Sequence, residues 1–105
     1  ETWVTVPEGE GAPAALRLAS AAPNPFRATE AIRYGLPGGG RVRMRVYDVA
    51  GRLVATVLDR VQPAGWYSAS WDGRDGGGRR VASGEYLLRL EEGGAVVSRK
   101  IVVLR

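Results

Sequence analysis

The sequence contains neither cysteine nor histidine, and these two absences exclude several functions at once. Without cysteine no disulfide can stabilise the fold. Because many exported bacterial domains also lack disulfides, this absence does not identify the cellular compartment. Without either residue type, the common zinc sites and the nucleophiles that an imidazole activates are excluded. Any bound metal would have to be a hard cation held by oxygen ligands.

Long apolar runs are also missing. No stretch approaches the ~20 apolar residues that a membrane-spanning helix needs. The opening residues, Glu1 to Trp3, lack the basic start and apolar core of a signal peptide. If the protein is exported, we therefore expect this sequence to be an internal or C-terminal piece of a longer precursor.

Lysine is nearly absent, since Lys100 is the single lysine among 15 basic residues. Arginine side chains suit the recognition of phosphates and carboxylates, and the formal net charge is +4. However, the arginines are scattered along the chain, which favours an ordinary surface over a dedicated anion site. Nor do basic and aromatic residues interleave as they do in nucleic-acid-binding surfaces, so no nucleic-acid partner is expected.

The sequence does contain short alternating segments separated by glycine and proline, within a length typical of one domain. Residues 7–13 are proline, glycine, glutamate and alanine, a linker composition. We therefore expect residues 1–13 to be the end of an upstream region with its linker, and residues 14–105 to be the folded domain. On this interpretation Trp3 and Val4 pack on the upstream neighbour.

The alternation predicts an all-β, immunoglobulin-like antiparallel sandwich of about seven strands. The clearest strand places Val42, Met44 and Val46 on the core face. A later strand alternates in the same way and predicts a buried Trp71 and an exposed Trp66. We also expect a short strand over residues 53–58, a turn over 62–65 and a tight hairpin turn over 92–94.

The last strand, residues 96–104, has apolar residues in both alternating sets, interrupted by Ser98, Arg99 and Lys100. Strict alternation fails here. We therefore expect either a β-bulge or burial on both faces near the end of the strand.

Three features have both a functional and a structural interpretation. The segment Asp72-Gly73-Arg74-Asp75 offers two carboxylates to calcium, but its spacing favours a glycine-supported turn in which Asp72 caps local amides. A row formed by Arg41, Arg43 and Arg45, with Tyr47 on the same face, is a candidate ligand or partner surface or simply the solvated face of a strand. An exposed Trp66 suits stacking on a sugar ring, or covers the edge of the sandwich.

No catalytic arrangement is present in the sequence. The serines have no histidine or lysine base nearby, and the glycine runs lack the lysine and helix of a phosphate-binding loop. We therefore expect a protein that is not an enzyme and has no cofactor.

Five motifs occur in a fixed order over most of the chain: Pro-Asn-Pro-Phe at 23–26, Tyr-Asp-Val-Ala-Gly-Arg at 47–52, Trp-Asp-Gly-Arg-Asp at 71–75, Ser-Gly-Glu-Tyr at 83–86 and a basic-apolar end at 99–105. In this order they resemble the C-terminal immunoglobulin-like domain of proteins exported by the type IX secretion system. The same series is similar to the immunoglobulin-like domain of the flagellar hook-capping protein.

The resemblance implies a sorting and anchoring domain of an exported multidomain protein, recognised by secretion or surface-attachment machinery. It implies passage through the periplasm to the surface or medium of a Gram-negative bacterium. The residues that match the sorting signal are Gly84, Tyr86, Arg99 and Lys100. Two alternatives stay open: a carbohydrate-binding module that contacts polysaccharide, and a structural spacer in a secreted enzyme.

Overall fold

The computed structural model of the protein describes residues 11–105. Seven strands run through this range, in the order β1 (Arg17–Ala22), β2 (Glu30–Leu36), β3 (Gly40–Asp48), β4 (Leu53–Gln62), β5 (Gly65–Trp71), β6 (Gly84–Glu92) and β7 (Ala95–Val103). None of the described residues belongs to a helix that could span a bilayer. Trp3, Val4 and most of the predicted linker lie outside the described residues.

The strands form two antiparallel sheets that pack face to face. One sheet has the order β1-β2-β5 and the other the order β4-β3-β6-β7. The hairpins β3-β4 and β6-β7 stay within one sheet, whereas the chain changes sheet after β2, β4 and β5. This arrangement confirms the predicted all-β sandwich of about seven strands.

The core lies between the inner faces of the two sheets, as the alternation of β3 predicts. Val42, Met44 and Val46 are completely buried. Complete burial of an aliphatic side chain of this size contributes about 1.5–3 kcal/mol. The remaining fully buried aliphatic side chains are Ile32 and Leu36 from β2, Leu88 and Leu90 from β6, and Ile101 and Val103 from β7.

A small polar cluster closes the core near the end of β4. The Tyr34 hydroxyl donates a 2.7 Å hydrogen bond to Oε1 of the buried Gln62. The Tyr34 ring stacks on Tyr67 with a centroid distance of 5.6 Å, and the Tyr67 hydroxyl donates to the Pro63 carbonyl. Gln62 pairs with Gly40 of β3 and is the last residue of β4. The predicted turn therefore begins one residue later than expected.

Strand β4 is longer than predicted, since it continues beyond Leu58 to Gln62. The polar pair Asp59 and Arg60 looks like the start of a loop in the sequence. In the sheet, Asp59 pairs with Arg43 of β3 and forms a 2.7 Å ion pair with Arg41. The partner strand therefore explains why a polar pair sits within a strand.

The predicted hairpin turn between β6 and β7 is confirmed. Gly93 and Gly94 have φ values of 58° and 86°. Positive φ at both central residues defines the type I′ turn, which matches the twist of the flanking strands and favours glycine. The turn fixes the register of β7 on β6.

Strand β7 pairs with β6 over its whole length without a shift in register. The bulge offered as one alternative for this strand is therefore absent from the pairing. Near the end, Ile101 and Val103 are completely buried on the inner face, while Val102 on the other face is half-buried. The structure thus comes closer to the second alternative, burial on both faces.

Candidate functional site

The end of β7 is held by the Pro-Asn-Pro-Phe segment, which lies along the free edge of the strand. The Asn24 side chain donates to the Lys100 carbonyl at 3.1 Å and accepts from the Val102 amide at 2.9 Å. The Phe26 amide donates to the Val102 carbonyl, and the Leu104 amide donates to the Phe26 carbonyl. The segment therefore acts as a short added strand, and Phe26 itself is buried at the end of the core.

Arg105 ties the end of the chain to three other segments. Its guanidinium donates to the carbonyls of Val81, Arg27 and Gly73 at 2.9, 2.9 and 2.6 Å. Its backbone amide donates to the Ser83 hydroxyl at 2.8 Å. A charged donor that satisfies several carbonyls forms stronger hydrogen bonds than a neutral one. This side chain therefore stabilises the loops that surround the end of β7.

Gly73 is required where the Arg105 guanidinium approaches the loop. Its φ is +73°, a conformation that favours glycine, and an added Cβ would lie 2.8 Å from Nη2 of Arg105. The glycine of the Trp-Asp-Gly-Arg-Asp motif is thus explained by both its backbone conformation and its neighbour.

Three aromatic rings connect the same motifs inside the sandwich. Phe26 and Trp71 lie 5.6 Å apart between ring centroids, and Trp71 meets Tyr86 edge-on at 5.9 Å. The Trp71 indole donates to the Arg74 carbonyl, and the Tyr86 hydroxyl donates to the Ala82 carbonyl. Burial, followed by the nearby charge of Asp48, raises the pKa of Tyr86. We call the bonded set of Asn24, Phe26, Gly73, Ser83 and Arg105, together with these rings, the C-terminal closure.

The four residues predicted for sorting do not form one cluster. Gly84 and Tyr86 begin β6 and pair with Val103 and Ile101, so they lie beside the C-terminal closure. Arg99 reaches across to β1, where its Nε donates to the Leu18 carbonyl at 3.1 Å. Lys100 lies on the opposite face of β7, 3.8 Å from Glu85. The basic pair is therefore divided between the two faces of the strand.

The arginine row lies on the outer face of β3, as predicted, with Tyr47 on the same face. Arg41 and Arg43 share Asp59 at 2.7 and 3.7 Å, and the Arg41 hydrogen bond is the main reason that the pKa of Asp59 lies below its usual value. Arg45 lies 3.9 Å from Glu91, and its Nη1 donates to the Tyr47 hydroxyl. Carboxylates from both neighbouring strands therefore neutralise part of the row.

The predicted exposure of Trp66 is wrong, because its side chain is only 7 % exposed. Trp66 lies on the outer face of β5, as its position in the alternation requires, but other groups cover it. The Arg33 guanidinium carbon lies 5.7 Å from the ring centroid, and a Cβ on Gly35 would contact both Pro13 and the indole. Glycine opposite the tryptophan lets the ring lie flat on the sheet. The glycine opposite Trp66 in the neighbouring strand is the sequence signal for the burial of this ring, and the alternation within β5 does not contain it.

The loop after β5 forms the glycine-supported turn that the sequence favours. Asp72 Oδ1 accepts from the Arg74 amide at 3.1 Å. Asp75 Oδ1 accepts from the amides of Gly77 and Arg79 at 2.9 and 3.0 Å. Within residues 11–105 no group of three acidic, histidine or cysteine side chains is placed to hold a metal ion. The carboxylates of this loop thus organise its backbone.

The roles of Asn24, Ser83 and Arg105 were missed by sequence reasoning. Each forms hydrogen bonds with a residue more than 20 positions away. A single sequence carries no pattern for bonds of this range. The nearest local signal was an asparagine between two prolines, which removes competing backbone donors on both sides.

These features define the class of protein: an immunoglobulin-like sandwich whose C-terminal strand is closed by several distant motifs. The chain belongs to the FlgD Ig-like domain family, whose model matches residues 29–95, more than half of the chain. No curated protein matches the sequence.

Two solved structures contain a similar fold. Dimeric latent PorU from Porphyromonas gingivalis is 24% identical, with a TM-score of 0.65 over 81% of this chain and 9% of that chain. PorZ, described as an essential surface component of the type IX secretion system of the same organism, is 22% identical, with a TM-score of 0.57 over 82% of this chain and 11% of that chain. This chain therefore corresponds to a small part of either protein, and the likeness concerns the fold.

Proposed function

We propose that this chain is a non-catalytic C-terminal sorting and anchoring domain that directs an exported multidomain protein through type IX secretion to the cell surface. The observation that carries the proposal is the C-terminal closure. Three of the other four motifs converge on the basic-apolar motif at the end of β7, either through bonds to it or through the rings packed beside it. A machinery that recognises a folded C-terminal strand needs that strand to be held in one position.

The similar structures support this proposal by analogy of fold. PorZ is a surface component of a type IX system, and this chain aligns with a region about the size of one domain in it. By the same analogy, the partners are the secretion or surface-attachment machinery and the upstream domain of the same polypeptide. The location is then the surface or medium of a Gram-negative bacterium, reached through the periplasm.

The structure weakens the main argument for a carbohydrate-binding module. That function requires a flat aromatic side chain open to a sugar ring. Trp66, the candidate for this role, is buried, and the Arg33 guanidinium lies over its ring. The arginine row, the other candidate surface, is partly neutralised by Asp59 and Glu91.

A reporter fusion tests the proposal. Residues 1–105 are fused behind a periplasmic reporter and expressed in a host with a working type IX system and in a matched host that lacks the secretion pore. We expect reporter at the surface or in the medium of the first host alone. Retention in the periplasm of both hosts, or equal export from both, would contradict the proposal.

Two variants locate the signal within the domain. A fusion that ends at Glu92 lacks β7 and should not be exported. Because that truncation also removes the buried Ile101 and Val103, a variant with an intact core is needed beside it. Arg105→Ala weakens the C-terminal closure alone, and Arg79→Ala, on the exposed loop, is its matched control. We expect reduced export for the first and unchanged export for the second.

A further inference from the structure

Strand β7 is an edge strand of its sheet, and within residues 11–105 only half of its free edge is hydrogen-bonded. Alternate residues of an edge strand direct their amide and carbonyl groups away from the neighbouring strand. In β7 these are the even-numbered residues, because the Lys100 carbonyl and both backbone groups of Val102 bond to the Asn24 side chain or the Phe26 amide. The Pro-Asn-Pro-Phe segment therefore covers the final part of the edge.

The first half of the same edge is open among the described residues. By the same alternation, the backbone groups of Val96 and Ser98 and the amide of Lys100 face away from β6. No hydrogen bond within residues 11–105 engages these groups outside the β6 ladder. A regular row of unpaired donors and acceptors is the template to which another strand adds.

A groove of about 790 Å³ lies beside this open edge, between β7 and β1. Its apolar walls include Leu16, Leu18 and Val97, and within residues 11–105 its charged lining residues are Arg17 and Arg99. Trp66 also lines the groove, and its buried Nε1 has no acceptor among the described residues. The groove thus combines an apolar floor, positive charge and an unused donor.

We propose that the open part of the β7 edge binds an extended strand of the secretion machinery that presents both apolar and acidic side chains on its groove-facing side. The strand extends the four-stranded sheet beyond β7, in line with residues 24–26. Its groove-facing apolar side chains pack on Leu18 and Val97, and its groove-facing carboxylates meet Arg17 and Arg99. The inference rests on the proposed function, since it names the surface through which that function operates.

The edge is tested by removing one outward donor. Ser98→Pro deletes the Ser98 amide without removing any hydrogen bond to β6, and proline is tolerated on edge strands. Ser98→Ala keeps the amide and is the matched control. Arg17→Glu reverses the charge in the groove, and Arg79→Glu makes the same change on the exposed loop. Circular dichroism and thermal unfolding establish that each variant is folded.

The first measurement uses amide NMR of residues 1–105 with a short synthetic peptide in which threonine occupies every second position and valine and aspartate share the positions between, so that valine and aspartate lie on one face. We expect the peptide to shift the amides of Val96, Ser98 and Lys100, and its affinity to fall by roughly tenfold in Ser98→Pro and in Arg17→Glu but not in their controls. Unchanged affinity in Ser98→Pro would overturn the proposal. So would protection of the Ser98 amide from hydrogen exchange in the free protein, because the edge would already be occupied.

Export of the reporter fusion separates this inference from the proposed function. Folded Ser98→Pro that is retained, while Ser98→Ala is exported, supports the open edge as the recognition surface. Normal export of Ser98→Pro, with loss of export on truncation at Glu92, overturns the edge and leaves the sorting function standing. A concentration-dependent dimer that Ser98→Pro abolishes would also overturn the inference, since it assigns the edge to a second copy of the chain.

Discussion

At the scale of single residues, Arg105 and Gly73 depend on each other. The guanidinium reaches the Gly73 carbonyl at 2.6 Å because no side chain stands between them. A Cβ at this position would lie 2.8 Å from Nη2 and would also force an unfavourable φ. The cost of an unfavourable φ is shared by every glycine with positive φ, whereas the close approach to Arg105 is specific to Gly73.

Gly73→Ala is therefore expected to cost more stability than Gly78→Ala. Both glycines have positive φ, at +73° and +85°, but a Cβ on Gly78 meets nothing within 4 Å. The backbone term is on the order of 1–2 kcal/mol in both variants. Weakened Arg105 bonds should add about 1–2 kcal/mol to Gly73→Ala alone, measured by chemical denaturation. In an Arg105→Ala background the two substitutions should cost the same, and a persistent difference would contradict the coupling.

Glu30 gives the domain a pH-dependent stability. The carboxyl is completely buried, neither oxygen has a partner among the described residues, and burial raises its pKa from 4.5 to about 7. As pH rises, the unfolded chain releases this proton before the folded protein does. The stabilising contribution is therefore full below about pH 4.5 and is lost as pH rises through about 7.

The stability of the protein should thus fall between pH 4.5 and 7, by on the order of 3 kcal/mol from Glu30. Glu30→Gln should flatten most of this slope, because an amide of similar volume does not ionise. Burial also raises the pKa of Glu92, so a smaller slope of the same sign should remain. Denaturant unfolding at several pH values compares Glu30→Gln with the unsubstituted protein, and a slope of undiminished size in Glu30→Gln would exclude this origin.

At the scale of elements, the segment at residues 23–26 pairs with the end of β7 as a partial eighth strand. Its proline residues prevent a regular ladder, so the Asn24 side chain supplies one donor and one acceptor where backbone groups would otherwise pair. The strand meets β6 along one edge and the segment at residues 23–26 along the final part of the other.

Asn24→Ala should lower stability by about 1–2 kcal/mol, since it removes two hydrogen bonds to β7. Hydrogen exchange should accelerate at the Val102 amide, which loses its acceptor, and should not change at Val97, which faces β6. Asn24→Asp keeps the acceptor and loses the donor, so it should leave the Val102 amide protected. Equal acceleration at Val97 and Val102 would indicate general loosening of the strand.

At the scale of the whole molecule, the two sheets share one core, and Trp71 contacts rings from both the Pro-Asn-Pro-Phe segment and β6. Trp71→Ala should cost about 3–5 kcal/mol. Because there is one core, intrinsic fluorescence and backbone amide signals from β3 should report the same unfolding midpoint. Arg79→Ala, on the exposed loop, should change stability by less than about 0.5 kcal/mol. Separate midpoints for the two sheets would show that they unfold independently.

The sequence predicted the sheets better than the connections between them. Period-two alternation is visible within a single segment, so the core faces of β3 and β5 were predicted correctly. The wrong predictions concern residues whose pairing or burial depends on a neighbouring strand. Asp59 belongs to β4 because arginines stand opposite it, and Trp66 is buried because Gly35 leaves room for its ring. The C-terminal closure depends on bonds such as Asn24 to Lys100, which are 76 positions apart, and no local pattern encodes them.

The same separation in sequence sets the order in which the domain can be completed during synthesis. Chains emerge from the ribosome N-terminus first. Residues 24–26 therefore lack their hydrogen-bond partners until β7, the last of the seven strands, has been synthesised. Until β7 is released, the core lacks Ile101 and Val103, and the four-stranded sheet lacks its final member. The complete four-stranded sheet therefore exists only in chains whose translation has reached the end of the domain, so the presence of this sheet reports that the domain has been made in full.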